Sequence, residues 1–260
     1  MRAGDKLFID THCHLDNPLL SDRLPELLAA AEQCGISRFI VPGIEPQGWG
    51  RILSLAAMDG RICAAPGVHP QKAETWNGHA MVMLQKLIPS IVAIGEIGLD
   101  YSDGMPPREL QQEVFRAQLQ IAREAHLPVI IHCRRAFANT LTILAEERIQ
   151  AFGGVMHAFS GSVEVARCCV ALGLKIGIAG PVTWGNAVRS LRVVRAIPLE
   201  HLLLETDSPD LSPEQHRGAV NEPAFLIDIA RMIADLKGVS VAEVSAITSG
   251  NAAALFRVRC

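Results

Sequence analysis

The sequence predicts a (β/α)8 barrel, an α/β fold formed as a single domain over residues 1–260. Three observations carry this expectation. Eight short apolar or β-branched runs alternate with longer amphipathic stretches. The runs are continuously apolar, as parallel strands buried on both faces are. The 260-residue length matches eight βα units. An open, doubly wound sheet uses the same units, and the count of eight favours the barrel.

In chain order the expected strand at 7–11 is followed by a helix at 22–34, and the strand at 38–42 by a helix at 46–58. Strands at 62–68 and 91–95 precede helices at 79–88 and 107–125. Strands at 129–131, 154–156 and 175–179 precede helices at 137–147, 163–172 and 186–197. The eighth strand, 202–204, leads into two helices at 222–236 and 241–255. Glycines 95, 98, 153, 154, 177 and 180 bracket strand ends, where tight turns need them.

Half of the chain is hydrophobic (49%), which excludes a disordered protein. With 24 Lys+Arg against 27 Asp+Glu, the net charge of −3 argues against nucleic-acid binding through a broad basic surface. It leaves room for local contacts to a few phosphates. No apolar run reaches the roughly 18 residues of a membrane span, so no membrane partner is expected. The stretch 1–6 is short and polar and leads straight into an apolar run with no h-region, so no secretory signal is expected. Seven scattered cysteines form no CxxC pair, so no disulfide framework is expected and the cytoplasm is the expected compartment. No Walker or GxGxxG motif implies a nucleotide cofactor.

The polar residues sit where barrel chemistry takes place, at the C-terminal ends of strands. The first run ends in His12 and His14, the third in His69, the fourth in Glu96, the fifth in His132 and the sixth in His157. The eighth ends in Glu205 and Asp207. Alternation along a strand puts His12 and His14 on one face, and Glu205 and Asp207 likewise. A single strand-end histidine is ordinarily a hydrogen-bonded rim residue. A whole set at one barrel mouth would be costly to bury without cations. Imidazole with carboxylate suits Zn, Mn or Fe. Six ligands, His12, His14, Glu96, His132, His157 and Asp207, suit two divalent ions about 3.5–4 Å apart, with Glu96 as the bridge. Such a pair activates a water, which Asp207 would orient or deprotonate.

Eight stretches, FIDTHCHLD (8–16), GVHP (67–70), GEIGLDY (95–101), LPVIIHCR (127–134), HAFSGS (157–162), LLLETDSP (202–209), HRGAVNEP (216–223) and GNAAALF (250–256), together resemble the TatD family of metal-dependent deoxyribonucleases. Within these amidohydrolase-like barrels the likeness is strongest to bacterial YjjV-type members. The resemblance implies His12, His14, Glu96 and Asp207 around one metal, and Glu96, His132 and His157 around the other. It implies that His69 contacts the scissile phosphate and that Glu205 stands beside the metals or substrate. Asp207, Glu96, Glu205 and His69 are thus the catalytic candidates. The structural alternative for Glu205 is a buried carboxylate paired with arginine or backbone. Glu96 occupies the place where many amidohydrolases carry a carboxylated lysine.

Further substrate contacts are expected from Arg134 to a phosphate, from Trp184 stacking on a base, and from Arg217 in the loop after the eighth strand. Two of these have a plain structural alternative: a solvated loop arginine for Arg134 and rim packing for Trp184. Arg189, Arg192 and Arg195 recur at helical spacing and read as a solvated face. The function expected is a phosphodiesterase or 3′–5′ exodeoxyribonuclease that binds nucleic-acid ends, or a small phosphoester, weakly and without an obligate protein partner. Zinc is the ion expected at rest, with Mg or Mn supporting activity. A small-molecule amidohydrolase or esterase on the same site is the alternative, and a non-catalytic binding protein a third.

Overall fold

The computed structural model describes residues 8–259. The strands are β1 (Phe8–Asp10), β2 (Ile36–Pro42), β3 (Ile62–Ala65), β4 (Ile94–Asp100), β5 (Val129–Arg134), β6 (Gly154–Met156), β7 (Leu174–Ile178) and β8 (Leu202–Leu204). Between β1 and β2 lie α1 (Pro18–Ser21) and α2 (Leu24–Gln33). Then come α3 (Pro46–Met58), α4 (Gly78–Leu87), α5 (Arg108–Ala125), α6 (Phe137–Glu146), α7 (Val163–Ala171) and α8 (Val188–Ala196), one after each strand from β2 to β7. The chain ends with α9 (Leu226–Lys237) and α10 (Val241–Phe256). The expected strand at 7–11 begins one residue outside the described chain.

All strand pairs are parallel and sequential, in two arcs, β1–β2–β3 and β4 to β8. Hydrogen bonds join the arcs at both seams. Val92 N donates to Ala64 O (3.0 Å) and Gly95 N to Pro66 O (3.3 Å) between β3 and β4. At the other seam the Thr11 backbone N (3.0 Å) and hydroxyl (2.9 Å) both donate to Leu204 O. The eight strands alternating with helices form the (β/α)8 fold that the sequence predicts.

Period-two alternation sorts the apolar side chains into two layers. Ile9, Ile40, Ala65, Ile130, Val155 and Leu203 form one buried cluster with Ala252 and Phe256 of α10. Their neighbours along the strands, Phe8, Phe39, Val129, Ile131 and Leu204, join the larger cluster that includes Trp49 of α3 and Phe115 and Leu119 of α5. Local signals set the helix ends. The Asn77 side chain accepts from His79 N and Ala80 N ahead of α4, Ser240 accepts from Glu243 N ahead of α10, and Gly238 (φ +68°) closes α9 in the left-handed region.

The main departure from the sequence reading is β4. It begins at Ile94 rather than residue 91 and runs through Glu96 to Asp100. Gly, Glu and Asp are poor strand formers by propensity. Pairing decides otherwise: Gly98, Leu99 and Asp100 register with His132, Cys133 and Arg134 of a correspondingly longer β5. Gly98 (φ +145°) makes this approach possible, because a Cβ there would lie 2.0 Å from the His132 carbonyl oxygen. Gly98→Ala is therefore expected to lower unfolding stability by about 1–3 kcal/mol or more, measured by urea titration. Wild-type stability in that variant would show that the β4–β5 contact is not tight.

Candidate metal centre

The site is assembled from chain that leaves the strand ends. His12 and His14 lie beyond β1, on backbone held by Cys13 N to Ile40 O (3.1 Å) and His14 N to Ser208 O (2.8 Å). Their Nε2 atoms converge to 3.2 Å, as strand alternation anticipates, although the strand itself has ended at Asp10. Asp207 lies beyond β8 in the left-handed region (φ +59°), which aspartate tolerates better than most residues. Its amide donates to His12 O at 2.8 Å. Asp10 ties these two segments together. Its carboxylate accepts from the Thr206 hydroxyl (2.6 Å) and amide (3.0 Å). Burial pushes the Asp10 carboxyl up to about 7, against those hydrogen bonds.

Glu96 is the hub. Its Oε2 faces His12 Nε2 at 3.4 Å, while its Oε1 faces His132 Nδ1 at 2.8 Å, His69 Nε2 at 3.7 Å and His157 Nε2 at 3.9 Å. Asp207 Oδ1 lies 3.5 Å from the Nε2 atoms of His12 and His157 and 3.6 Å from that of His14. The His12 and His157 rings stack with centroids 3.4 Å apart. Burial alone raises the Glu96 carboxyl, but the rings of His69, His12 and His157 outweigh it and hold the group well below the ordinary range. Burial likewise acts against ionised Asp207, and His157, His14 and His12 overcome it. Burial drives His69 down to about 4. At His132 burial is outweighed by Asp100 and Glu96, which push the ring up to about 9.

These donors fit a divalent cation. Imidazole nitrogens and carboxylate oxygens converge in triads such as His12, His14 and Glu96, or His69, Glu96 and His132, whose ligand atoms lie within 4.8 Å of one another, and they are the ligand types of Zn, Mn and Fe. The two oxygens of Glu96 face separate ring groups, as a bridging carboxylate requires. His132 turns its far nitrogen, Nε2, to Asp100 Oδ2 at 3.2 Å. His157 Nδ1 lies 3.1 Å from Glu205 Oε1. A carboxylate behind a ligating imidazole orients the ring and raises its basicity. Glu205 is fully buried there and also accepts from Ala158 N at 2.5 Å, so it supports His157 from behind instead of facing the cleft.

His69 differs from the other rings. Its Nδ1 accepts from Gln71 N at 3.1 Å, so the neutral ring carries its proton on Nε2, toward Glu96. That tautomer presents a donor to the cleft and not a ligand lone pair.

A cleft of about 690 Å³ opens over this cluster, lined by His14, His69, Glu96, His132, His157 and Asp207 below and by Arg134, Ser160, Trp184 and Asp210 around the wall. Arg134 is exposed on that wall. Trp184 is pinned by its Nε1, which donates to Ser212 O at 2.9 Å. Arg217 does not line the cleft. It lies over the Trp184 ring, 4.9 Å from the centroid, and pairs with Glu214 at 3.0 Å.

Several residues that serve the site escaped the sequence reading. Asp100 shares the parity of Glu96 along β4, a signal hidden by ending the strand at residue 95. Two glutamines seven apart on the buried face of α5 hold the site's backbone. Gln111 exchanges hydrogen bonds with Asp100 N and O (both 2.8 Å). Gln118 does the same with Val68 N (2.7 Å) and O (3.1 Å), just before His69. Asn221 donates from Nδ2 to Thr206 O (2.8 Å) and Asp210 O (2.6 Å), holding the loop that carries Asp207.

Such a barrel, with imidazoles and carboxylates concentrated at its strand ends, defines a metal-dependent hydrolase. Comparison with known proteins agrees: the family of TatD related DNases matches residues 9–257. The chain belongs to the TatD family. It is 39% identical over 254 residues to the metal-dependent hydrolase YabD of Bacillus subtilis, covering 97% of this chain and all of the relative. It is 38% identical to the 3′-5′ ssDNA/RNA exonuclease TatD of Erwinia amylovora over 239 residues, 89% of this chain and 92% of that one. The crystal structure of the TatD homolog YjjV from Escherichia coli K12 superposes with a TM-score of 0.92 at 35% identity, covering 97% and 98% of the two chains.

Asp100→Asn, which keeps the shape and removes the charge behind His132, is expected to weaken metal binding by about 10–100-fold. Competition against a chromogenic chelator reads this directly. An unchanged affinity would show that Asp100 does not act through His132.

Proposed function

We propose that this chain is a two-metal phosphodiesterase that removes nucleotides from the 3′ end of single-stranded nucleic acid. The observation that carries the reading is Glu96, whose Oε2 faces His12 and whose Oε1 faces His132 and His157 at the floor of an open cleft. His12, His14 and Asp207 would hold one ion and His132 and His157 the other, with Glu96 between. The likeness to a relative named as a 3′-5′ ssDNA/RNA exonuclease supports the substrate class. When bound, two divalent ions supply Lewis acidity at the phosphoryl oxygens and lower the pKa of water. Zinc suits the imidazole-rich donor set at rest, and Mg or Mn suits the phosphate-bearing state.

The chain's own residues do the rest. Asp207, ionised and facing the cleft, takes the proton of the attacking water. His69 donates a hydrogen bond through its Nε2–H to a phosphoryl oxygen and keeps the proton, a role that its neutral tautomer fits. Arg134, exposed at the wall, meets a non-bridging oxygen. Glu205 and Asp100 keep the His157 and His132 rings oriented. Trp184 stands where a terminal base would reach it, with Arg217 covering part of the ring. The six cysteines among the described residues are free, which supports a reducing, cytoplasmic setting. No helix among the described residues is long and apolar enough to cross a membrane.

Chelation is expected to abolish hydrolysis of a single-stranded oligonucleotide, with recovery on adding Mn or Mg. His132→Ala is expected to lose at least about 10²-fold in kcat/KM, the scale set by losing a preorganised electrostatic group. Release of label from the 3′ end before the 5′ end checks polarity. A metal-loaded enzyme that turned over lactones or cyclic amides and no nucleic acid would overturn the reading in favour of a small-molecule hydrolase.

A further inference from the structure

A second cleft, of about 570 Å³, lies between the first turns of α7 and α8. Its lining includes Ser162, Asn186, Arg189, Arg192 and Glu164. It shares a wall with the catalytic cleft. Arg189 Nη1 donates to Ser160 O at 3.2 Å, and Ser160 lines the catalytic side together with Ser190, the next residue of α8. Ser160 follows His157 by three residues, so their Cα atoms are within about 11 Å of each other.

The charge in this cleft is unspent. Arg116, Arg123, Arg217 and Arg231 are each paired with carboxylates. Arg189 and Arg192 are exposed and form no ion pair with a carboxylate among the described residues. Two guanidinium groups face one acidic lining residue, Glu164, which leaves the cleft positive in a chain whose net charge is −3. The Asn186 amide adds hydrogen-bonding groups, while the Ser162 hydroxyl caps α7 by accepting from Val165 N at 3.4 Å. The Arg189–Arg192 spacing, unremarkable as a solvated helix face, becomes specific once α7 supplies the opposite wall.

We propose that this cleft is a phosphate-binding subsite that holds the substrate strand upstream of the scissile bond. The inference rests on the nuclease reading above and extends it from the terminal nucleotide to the body of the strand. Ser160 lies at most about 11 Å from His157 along the chain, so a strand leaving the metal floor reaches this wall within its first few nucleotides. A strand long enough to reach Arg189 and Arg192 gains two charge-assisted contacts. A dinucleotide gains none. The two arginines thereby make the enzyme favour oligonucleotides over its own shortest products, which limits product inhibition at the end of digestion.

The experiment compares kcat/KM for an eight-nucleotide single strand and for a dinucleotide in Mn-loaded wild type, Arg192→Ala and the double variant Arg189→Ala/Arg192→Ala. The ratio of the two values is expected to fall about tenfold in the double variant, mainly through KM for the longer strand. Across a salt series, the slope of log affinity for the longer strand should shrink by about 1.4, two contacts at about 0.7 each. A structural disturbance of the Ser160 loop would lower both substrates together and leave the ratio fixed, which overturns the inference. Arg192→Ala, which removes no hydrogen bond among the described residues, guards against that confusion and should show about half of the salt effect. An unchanged ratio and slope in both variants also overturns it. If wild type cleaves no nucleic acid, the nuclease reading fails first and this inference falls with it; if wild type cleaves and the variants match it, only this inference fails.

Discussion

The convergence of imidazoles and carboxylates around Glu96 is the constraint on which the rest of this molecule depends. Glu96 lies at 3% exposure among the rings of His12, His69, His132 and His157, with Asp207 opposite. Such groups cannot be buried together as bare charges without heavy desolvation cost. Mutual pairing and the donor set for divalent ions reconcile them. The surrounding scaffold prevents the set from relaxing apart. Asp10 couples the segments after β1 and β8 through Thr206, Asn221 fixes the Asp207 loop, and two buried glutamines of α5 grip the backbone before His69 and at Asp100.

This polar layer sits on an apolar one. The cluster of Ile9, Ile40, Ala65, Ile130, Val155 and Leu203, closed by Phe256, gives the strand ends a rigid base. Rigidity matters because a metal-dependent site tolerates only small errors in ligand position. The carboxylates behind His132 and His157 extend the same principle outward by fixing ring orientation as well as ring place.

A chain with more acidic than basic residues does not attract a polyanion by its overall field. Its positive charge is local: Arg134 on the wall, Arg189 and Arg192 next door, and, in the reading proposed above, the cations that the cleft floor would hold. Binding of this kind would suit the strand-end activity proposed above. It also explains why Arg217 contributes little to the cleft, since Glu214 and the Trp184 ring already occupy it.

The order of strands and helices, and the six ligand candidates, were legible in the sequence because both are periodic features. Apolar runs mark strands buried on both faces, and polar residues that end those runs mark the barrel mouth. Helix limits at α3 and strand limits at β6 and β8 came out at the residues expected. What only the tertiary structure decided were matters of partnership. The extension of β4 to Asp100 depends on Gly98 meeting the His132 carbonyl, a contact that no local pattern encodes. The place of Glu205 behind His157, the tautomer of His69 and the roles of Gln111, Gln118 and Asn221 all depend on hydrogen bonds between segments distant in sequence. Residue type and spacing determine which groups reach the barrel mouth. Which of them face the cleft and which stand behind is settled when the strands close side by side, because only then does each donor acquire its neighbour.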